Sequence, residues 1–164
     1  MNDSDEFWMN YAISAAKSAE SIGEVPIGAC IIGETGELLS SSGNRTITDR
    51  DPTAHAEILA LRQAAAKINN YRLVNSTVYS TIEPCAMCAG ALVNARVKRL
   101  VYGAKDERFG AVETHFNICS SSFLNHQIEI VSGVSAEDCR KLMQDFFRKK
   151  REFNKLKKII INQT

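Results

Sequence analysis

The chain has 164 residues, 45% of them apolar and 24% charged, with a formal net charge of +1. These values exclude a disordered or fibrous chain and fit one globular domain spanning 1–164. No apolar run approaches the roughly 18 residues needed to cross a bilayer, and the opening "MNDSDEFWMN" lacks the basic-then-apolar pattern of a secretory leader, so a soluble, cytoplasmic protein without a membrane partner is expected. The five cysteines, at 30, 85, 88, 119 and 139, are odd in number and irregularly spaced. That argues against a disulfide framework and for metal-binding or catalytic use of any close pair.

In chain order, residues 5–22 carry apolar side chains at helical spacing (Phe7 and Trp8, Tyr11 and Ala12, Ala15, Ala19, Ile22) and end at Gly23, a helix with a glycine stop. "IGACII" (27–32) reads as a buried strand, and "ETG" turns the chain into a second strand, "ELLSSSG". A polar loop at 43–52 precedes a helix, "HAEILALRQAAAKI", and a short strand, "STVYST". "PCAMCAGALVNA" is a helix with proline near its first turn, where a missing N–H costs nothing. "VKRLVYGA" and "QIEIVSG" are strands, 105–126 is irregular, and a long helix runs from Ser135 to about Lys158. Ser135 with Asp138 three residues on resembles a capping box. Helices alternate with short strands, which predicts a three-layer α/β/α sandwich with a central mixed sheet.

Charge is unevenly spread. "RKKREFNKLKK" (148–158) has seven basic residues and one acid, a net +6 that leaves −5 for the rest of the chain. Two readings stand: a solvated helix end, or a contact with a polyanion such as nucleic acid.

Cys85 and Cys88, in "PCAMC", are i and i+3 and share a face at a helix start. The positive end of a helix favours thiolates there. Upstream, "TAHAE" offers His55 and Glu57. These are i and i+2 and serve one site only if it lies off the start of their helix. Two helices aiming their starts at one ion would bring His55, Cys85 and Cys88 together, a ligand set that suits zinc. Cys30, Cys119, Cys139, His115 and His126 have no ligand spacing. Three protein ligands leave a position for water, the mark of a catalytic rather than a structural zinc site. Glu57 then stands beside that water as a base.

His-x-Glu followed by Pro-Cys-x-x-Cys is the signature of the zinc-dependent nucleobase deaminases of the cytidine deaminase-like superfamily. "NRTITDRDPTAHAEILALRQA" and "TIEPCAMCAGALVNAR", with "VPIGA", "VYGAKD", "NHQIEI" and "DFFRKKR", closely resemble the bacterial tRNA-specific adenosine deaminases from about Phe7 to about Arg151. The resemblance implies an α/β/α fold, one Zn2+ per subunit, a homodimer, and conversion of adenosine to inosine at the wobble position of an arginine tRNA. It further implies that His55, Cys85 and Cys88 hold zinc, that Glu57 shuttles protons, that Asn44 binds the flipped base, and that Asp106 and Phe147 lie in segments that contact RNA. Structural alternatives stand beside these roles: a turn residue for Asn44, helix packing for Phe147. Thr46 stands where relatives often have proline, and "GAVETHFNICSSSF" departs from the usual Gly-Ser-containing version of that region.

Two rival functions share the residues. A deaminase of free guanine, cytosine or a nucleoside would use the same zinc motif. A structural zinc module would use the same ligands without needing Glu57.

Overall fold

The structure, a computed structural model, describes residues 3–161. The chain order is α1 (Asp3–Ser21), β1 (Gly28–Ile32), β2 (Leu38–Gly43), α2 (Ala56–Ile68), β3 (Thr77–Ile82), α3 (Ala86–Asn94), β4 (Arg99–Ala104), a 3₁₀ turn at Ile118–Ser120, β5 (Glu129–Ser132) and α4 (Ala136–Ile161). The strands form one sheet in the order β2-β1-β3-β4-β5. β1 pairs antiparallel with β2 and β3, while β3, β4 and β5 run parallel. This is the expected mixed sheet. The expected bounds 1–164 include residues 1–2 and 162–164, which lie outside the described residues.

Helices cover both faces of the sheet. On one face Ala60, Leu61 and Ala64 of α2 and Ala89, Leu92 and Val93 of α3 pack on Ala29, Ile31, Val78, Leu100 and Tyr102. On the other, Met9, Ala12 and Ile13 of α1 and Cys139 of α4 pack on Cys30, Ile32, Tyr79 and Val101. The alternation of faces along each strand divides these two sets. α1 lies unusually close to the sheet because β1 opens with glycine: a Cβ on Gly28 would sit 2.0 Å from the Ala12 carbonyl oxygen. Asp5 of α1 is buried under the sheet, where its carboxylate accepts from both terminal nitrogens of Arg99, at 2.7 and 2.9 Å, and from the Tyr79 hydroxyl at 2.9 Å. A bidentate guanidinium matches the two carboxylate oxygens and satisfies a charge that burial alone would penalise.

Most element boundaries fall within two residues of expectation; three details differ. Pro84 precedes rather than opens its helix: Cys85 is the N-cap of α3, with extended backbone at φ −72° and ψ 174°. Ser135 has φ +52°, outside the extended backbone of a capping residue, so the resemblance to a capping box has no counterpart there. α4 continues to Ile161, beyond the expected end near Lys158, because nothing in "KLKKIII" breaks a helix.

The irregular stretch 105–126 is ordered by hydrogen bonds to neighbouring elements rather than by its own periodicity. Ala111 N–H donates to the Pro84 carbonyl and Ile128 N–H to the Cys119 carbonyl, at 3.0 and 2.8 Å.

Candidate active site

α2 follows β2 and α3 follows β3, and both helices start at the same end of the sheet. Open α/β sheets place ligand sites at such ends. His55 is the N-cap of α2, with extended backbone at φ −73° and ψ 151°. It therefore projects off the helix start, as Cys85 does from α3. Cys88 lies one turn into α3, fully buried. The Sγ atoms of Cys85 and Cys88 each lie 3.6 Å from His55 Nδ1. The three donor atoms all fall within 4.8 Å of one another, a group that could hold a metal ion. The first turn of two helices thus supplies all three.

The electrostatics of this group fit a cation. Cys85 is pulled down to about 4 by the hydrogen bond from Cys88, against its burial, and then by His55. His55 is raised by its bond to Cys85, although burial opposes this. Cys88 is pushed up by the Cys85 thiolate, by burial and by Glu57, because a second negative charge there has nothing to balance it. A cation between the sulfurs removes that repulsion and lets both ionise. The other thiols differ: Cys30, Cys119 and Cys139 are all raised to about 12 by burial, and none touches the group. They behave as small apolar side chains. His115 and His126 each place Nε2 against a backbone carbonyl, Glu107 at 2.8 Å and Val97 at 2.7 Å, and neither joins the three-donor group.

Glu57 is 2% exposed. Burial raises its carboxyl above the ordinary carboxylate range. Its Oε1 lies 3.3 Å from the Ser80 hydroxyl, which also donates to the Ile82 carbonyl at 2.8 Å. A buried carboxyl with a raised pKa beside a ligand cluster is the condition under which a carboxyl moves protons near neutral pH.

Asn44, buried at 5% exposure, accepts from the Ala56 N–H through Oδ1 at 2.8 Å. It satisfies one of the unpaired donors at the start of α2 and so helps to seat His55. Asp106 N–H donates to Glu83, and Asp106 Oδ1 accepts from Arg108 and Phe109 N–H at 2.9 and 3.1 Å. Its carboxylate therefore closes a turn in the loop after β4. Phe147 is on α4, 39% exposed, edge-on to Phe146 with ring centres 5.3 Å apart. The structure thus gathers His55, Glu57, Cys85 and Cys88 and sets Asn44 at the root of α2. Asp106 shapes a neighbouring loop, and Phe147 sits on a separate helix.

That loop forms one wall of a recess of about 510 Å³, lined by Cys85, Met87, Arg108, Phe109, His115 and Phe116. Phe109 and Phe116 are exposed at 68% and 61%. Sequence reasoning missed these residues because the segment has no periodicity to read. It also missed two buried carboxylates, Glu24 and Glu83, since a lone glutamate reads by default as exposed.

Glu24 anchors the loop that leads to His55. Its carboxylate accepts from Thr48 N–H at 2.6 Å and from the Thr46 hydroxyl at 3.3 Å. Burial pushes its carboxyl up, but the bonds from Thr48, Ile47 and Thr46 hold it below 4.5. A depressed carboxyl contributes stability that is present above the unfolded-state value and lost as pH falls through the folded one. Glu24→Gln is expected to cost about 1–3 kcal/mol at pH 7. Thermal unfolding across a pH series should show that difference shrinking as pH drops below 4.5.

The MafB19-like deaminase family model matches residues 2–151. The chain is 46% identical over 157 residues to the tRNA-specific adenosine deaminase of Haemophilus influenzae, covering 96% of this chain and 91% of that one. It is 42% identical over 151 residues to the Bacillus subtilis protein of the same name, covering 92% and 93%. Among solved structures, one from work on A-to-I editing by tRNA:A34 deaminases at the wobble position superposes with a TM-score of 0.80 at 39% identity, over 83% of this chain and 98% of that one. The guanine deaminase of Nitrosomonas europaea superposes with a TM-score of 0.76 at 25% identity, over 86% and 83%. The catalytic-type cluster at paired helix starts and the extent of these matches lead to one conclusion: the chain belongs to the tRNA-specific adenosine deaminase family.

Proposed function

We propose that this chain hydrolyses the wobble adenosine of a tRNA anticodon to inosine, releasing ammonia, with Zn2+ held by His55, Cys85 and Cys88. The observation that carries the reading is the convergence of those three donors, with Glu57 buried beside them, in a chain of this family. Tetrahedral zinc with metal–sulfur and metal–nitrogen bonds of ordinary length separates sulfur from nitrogen by about 3.6 Å, and both Cys–His separations are 3.6 Å. Bound in such a set, zinc acidifies water and so supplies a nucleophile at neutral pH.

The protein's own residues do the rest. Glu57 takes the proton of the attacking water and passes it to N1 of adenine, as water adds at C6. It then takes the second proton from the C6 hydroxyl and delivers it to the amino group, so that the C6–N bond breaks, ammonia leaves and the 6-oxo group of inosine remains. Its burial excludes competing water and raises the carboxyl above its ordinary range, the direction that favours taking up a proton. Asn44, with Oδ1 committed to α2, offers its amide N–H groups to the base. Asp106 shapes the loop beside Cys85, and Phe147 offers an exposed ring on the basic helix; we assign both to RNA contact. The target base must leave its stack to reach a buried carboxyl, and an unpaired anticodon loop lowers that cost to less than the few kcal/mol a duplex demands. Arginine tRNA as substrate, a single working domain, a homodimer and a cytoplasmic location belong to the same reading and are supported by the family alone.

The decisive experiment incubates the chain separately with arginine tRNA, free adenosine, cytidine and guanine. Inosine in the tRNA is expected. Guanine deamination with none on tRNA would move the chain to the free-base activity named for the Nitrosomonas europaea protein.

The basic helix end gives a second test. Residues 149–161 are exposed throughout, and seven of the residues in 148–158 are Lys or Arg. Chains truncated after Phe147 are expected to bind tRNA more weakly and with a flatter dependence on salt, because fewer counterions are released. Binding titrations from low to physiological salt measure the slope. An unchanged slope returns these residues to a solvated face.

A further inference from the structure

Glu83 stands directly before Pro84 and Cys85, at the end of β3, and is 1% exposed. Among the described residues it forms no salt bridge. Its partners are four backbone N–H groups and one hydroxyl of a single loop. Oε1 accepts from Val112, Glu113 and Thr114 N–H at 3.1, 2.8 and 2.9 Å. Oε2 accepts from Asp106 N–H at 3.2 Å and from the Thr114 hydroxyl. One carboxylate thus gathers both ends of the segment 106–114. A full negative charge accepting several backbone donors is among the stronger anchors available to a loop without secondary structure.

The loop folds closely around that charge. A Cβ on Gly110 would lie 2.4 Å from Glu83 Oε2 and 2.6 Å from the Asp106 carbonyl oxygen. Only a residue without one passes there. Gly110 pairs with Cys85 as an isolated antiparallel bridge, and Ala111 N–H donates to the Pro84 carbonyl. Glu113, within the anchored stretch, accepts from the Tyr102 hydroxyl. The same segment carries Arg108 and Phe109, and His115 and Phe116 follow it, so the anchored loop is the wall of the recess that opens beside Cys85.

We propose that Glu83 is a positioning residue that holds this wall in place, and so governs how the substrate is received rather than how the metal is held. The metal ligands have supports of their own: His55 sits on the start of α2, which Asn44 caps, Cys88 lies within α3, and Cys85, the N-cap of that helix, accepts from Ala89 N–H through its carbonyl at 2.8 Å as well as bridging to Gly110. Glu83's own hydrogen bonds, to Asp106, Val112, Glu113 and Thr114, go to none of the three. Its neutral amide counterpart has only one acceptor oxygen, and its NH2 group would face Asp106 N–H, donor against donor. The loop should then loosen while both helix starts stay seated. The kinetic part of this inference rests on the proposed tRNA activity; the structural part does not.

The test compares Glu83→Gln, Gly110→Ala and Thr114→Val with the unaltered chain. Three readouts are taken: hydrogen exchange by residue, bound metal per chain, and steady-state kinetics on an anticodon stem-loop. For Glu83→Gln and Gly110→Ala, exchange at 106 and 112–114 should quicken about ten-fold or more, since hydrogen bonds to a charged group are lost. KM should rise about ten-fold or more with kcat far less affected, the signature of lost substrate binding, and metal content should stay unchanged. Thr114→Val, which removes one donor, should give a smaller shift in the same direction. Unchanged exchange in this loop overturns the proposal, as does loss of metal or a fall in kcat at constant KM. Should Glu83→Gln fail to fold, the loop-side variants still decide. Should the unaltered chain edit no RNA, the functional reading fails, and the exchange and metal measurements still judge Glu83.

Discussion

A Glu57→Gln chain is expected to fold, to bind metal as the unaltered chain does, and to lose deamination by about 10²–10⁴-fold, the usual contribution of a positioned proton donor and acceptor. Glu57 lies outside the three-donor group, so its substitution leaves every ligand in place. The amide is nearly the same size and fills the same buried space beside Ser80. It cannot take up a proton from water or return one to the departing amine. Metal analysis, thermal unfolding and inosine formation on the same preparation check the three parts. Full activity in this variant would end the catalytic assignment and favour a structural metal module. Loss of metal would instead make Glu57 a part of the binding group.

Removing a ligand should act on metal and activity together. His55→Ala and Cys88→Ser are each expected to retain metal at least about 100-fold less well against a chelator, since even residues that merely support ligands contribute about 10–100-fold. Activity should fall below detection. The unaltered chain stripped by a chelator should recover activity with added zinc, whereas the variants should not. Cys119→Ser and Cys139→Ser provide the contrast: both thiols are buried away from the group, so these changes should alter stability without altering metal content. The two apolar layers, built from residues such as Leu92, Leu100 and Tyr102 on one face and Met9 and Val101 on the other, do not pass through the site. Metal removal should therefore leave secondary structure in place and lower the unfolding temperature, because the free energy of binding no longer adds to that of unfolding. A chain that unfolds completely on chelation would show the ion to be structural.

Much of this site was legible before any coordinates. The spacing of His55, Cys85 and Cys88, and the need for helix starts rather than helix faces, follow from the geometry of i,i+2 and i,i+3 pairs. Helical spacing in the first helix and short apolar runs bounded by turn residues placed the five strands and four helices of the described residues in order; β1, β3 and β4 read as runs rather than alternations because they are buried along almost their whole length. The roles of Asn44 and Asp106 were less legible. Each has a side chain already engaged by the backbone of a loop or helix start. Such engagement depends on where the chain returns after a turn, which no local pattern records.

The chemistry available to this protein is written in its residue types: two thiols, one imidazole and one carboxyl, spaced so that paired helix starts can present them. Their identities set which groups can ionise and how softly they would bind a cation; the charge each one carries depends on the rest of the chain. What the tertiary structure decided is the environment of those groups. Glu57 has a raised pKa chiefly because the sheet and helices exclude water from it, with the Cys85 thiolate adding to the rise. Cys85 is held low by Cys88 and His55, the latter thirty residues upstream and close only in the folded chain. Glu83, an ordinary charge in the sequence, becomes the anchor of a loop because β3 ends where 106–114 returns. Burial and hydrogen bonding are properties of non-local packing, and they turned a set of reactive residues into a site with a defined mouth.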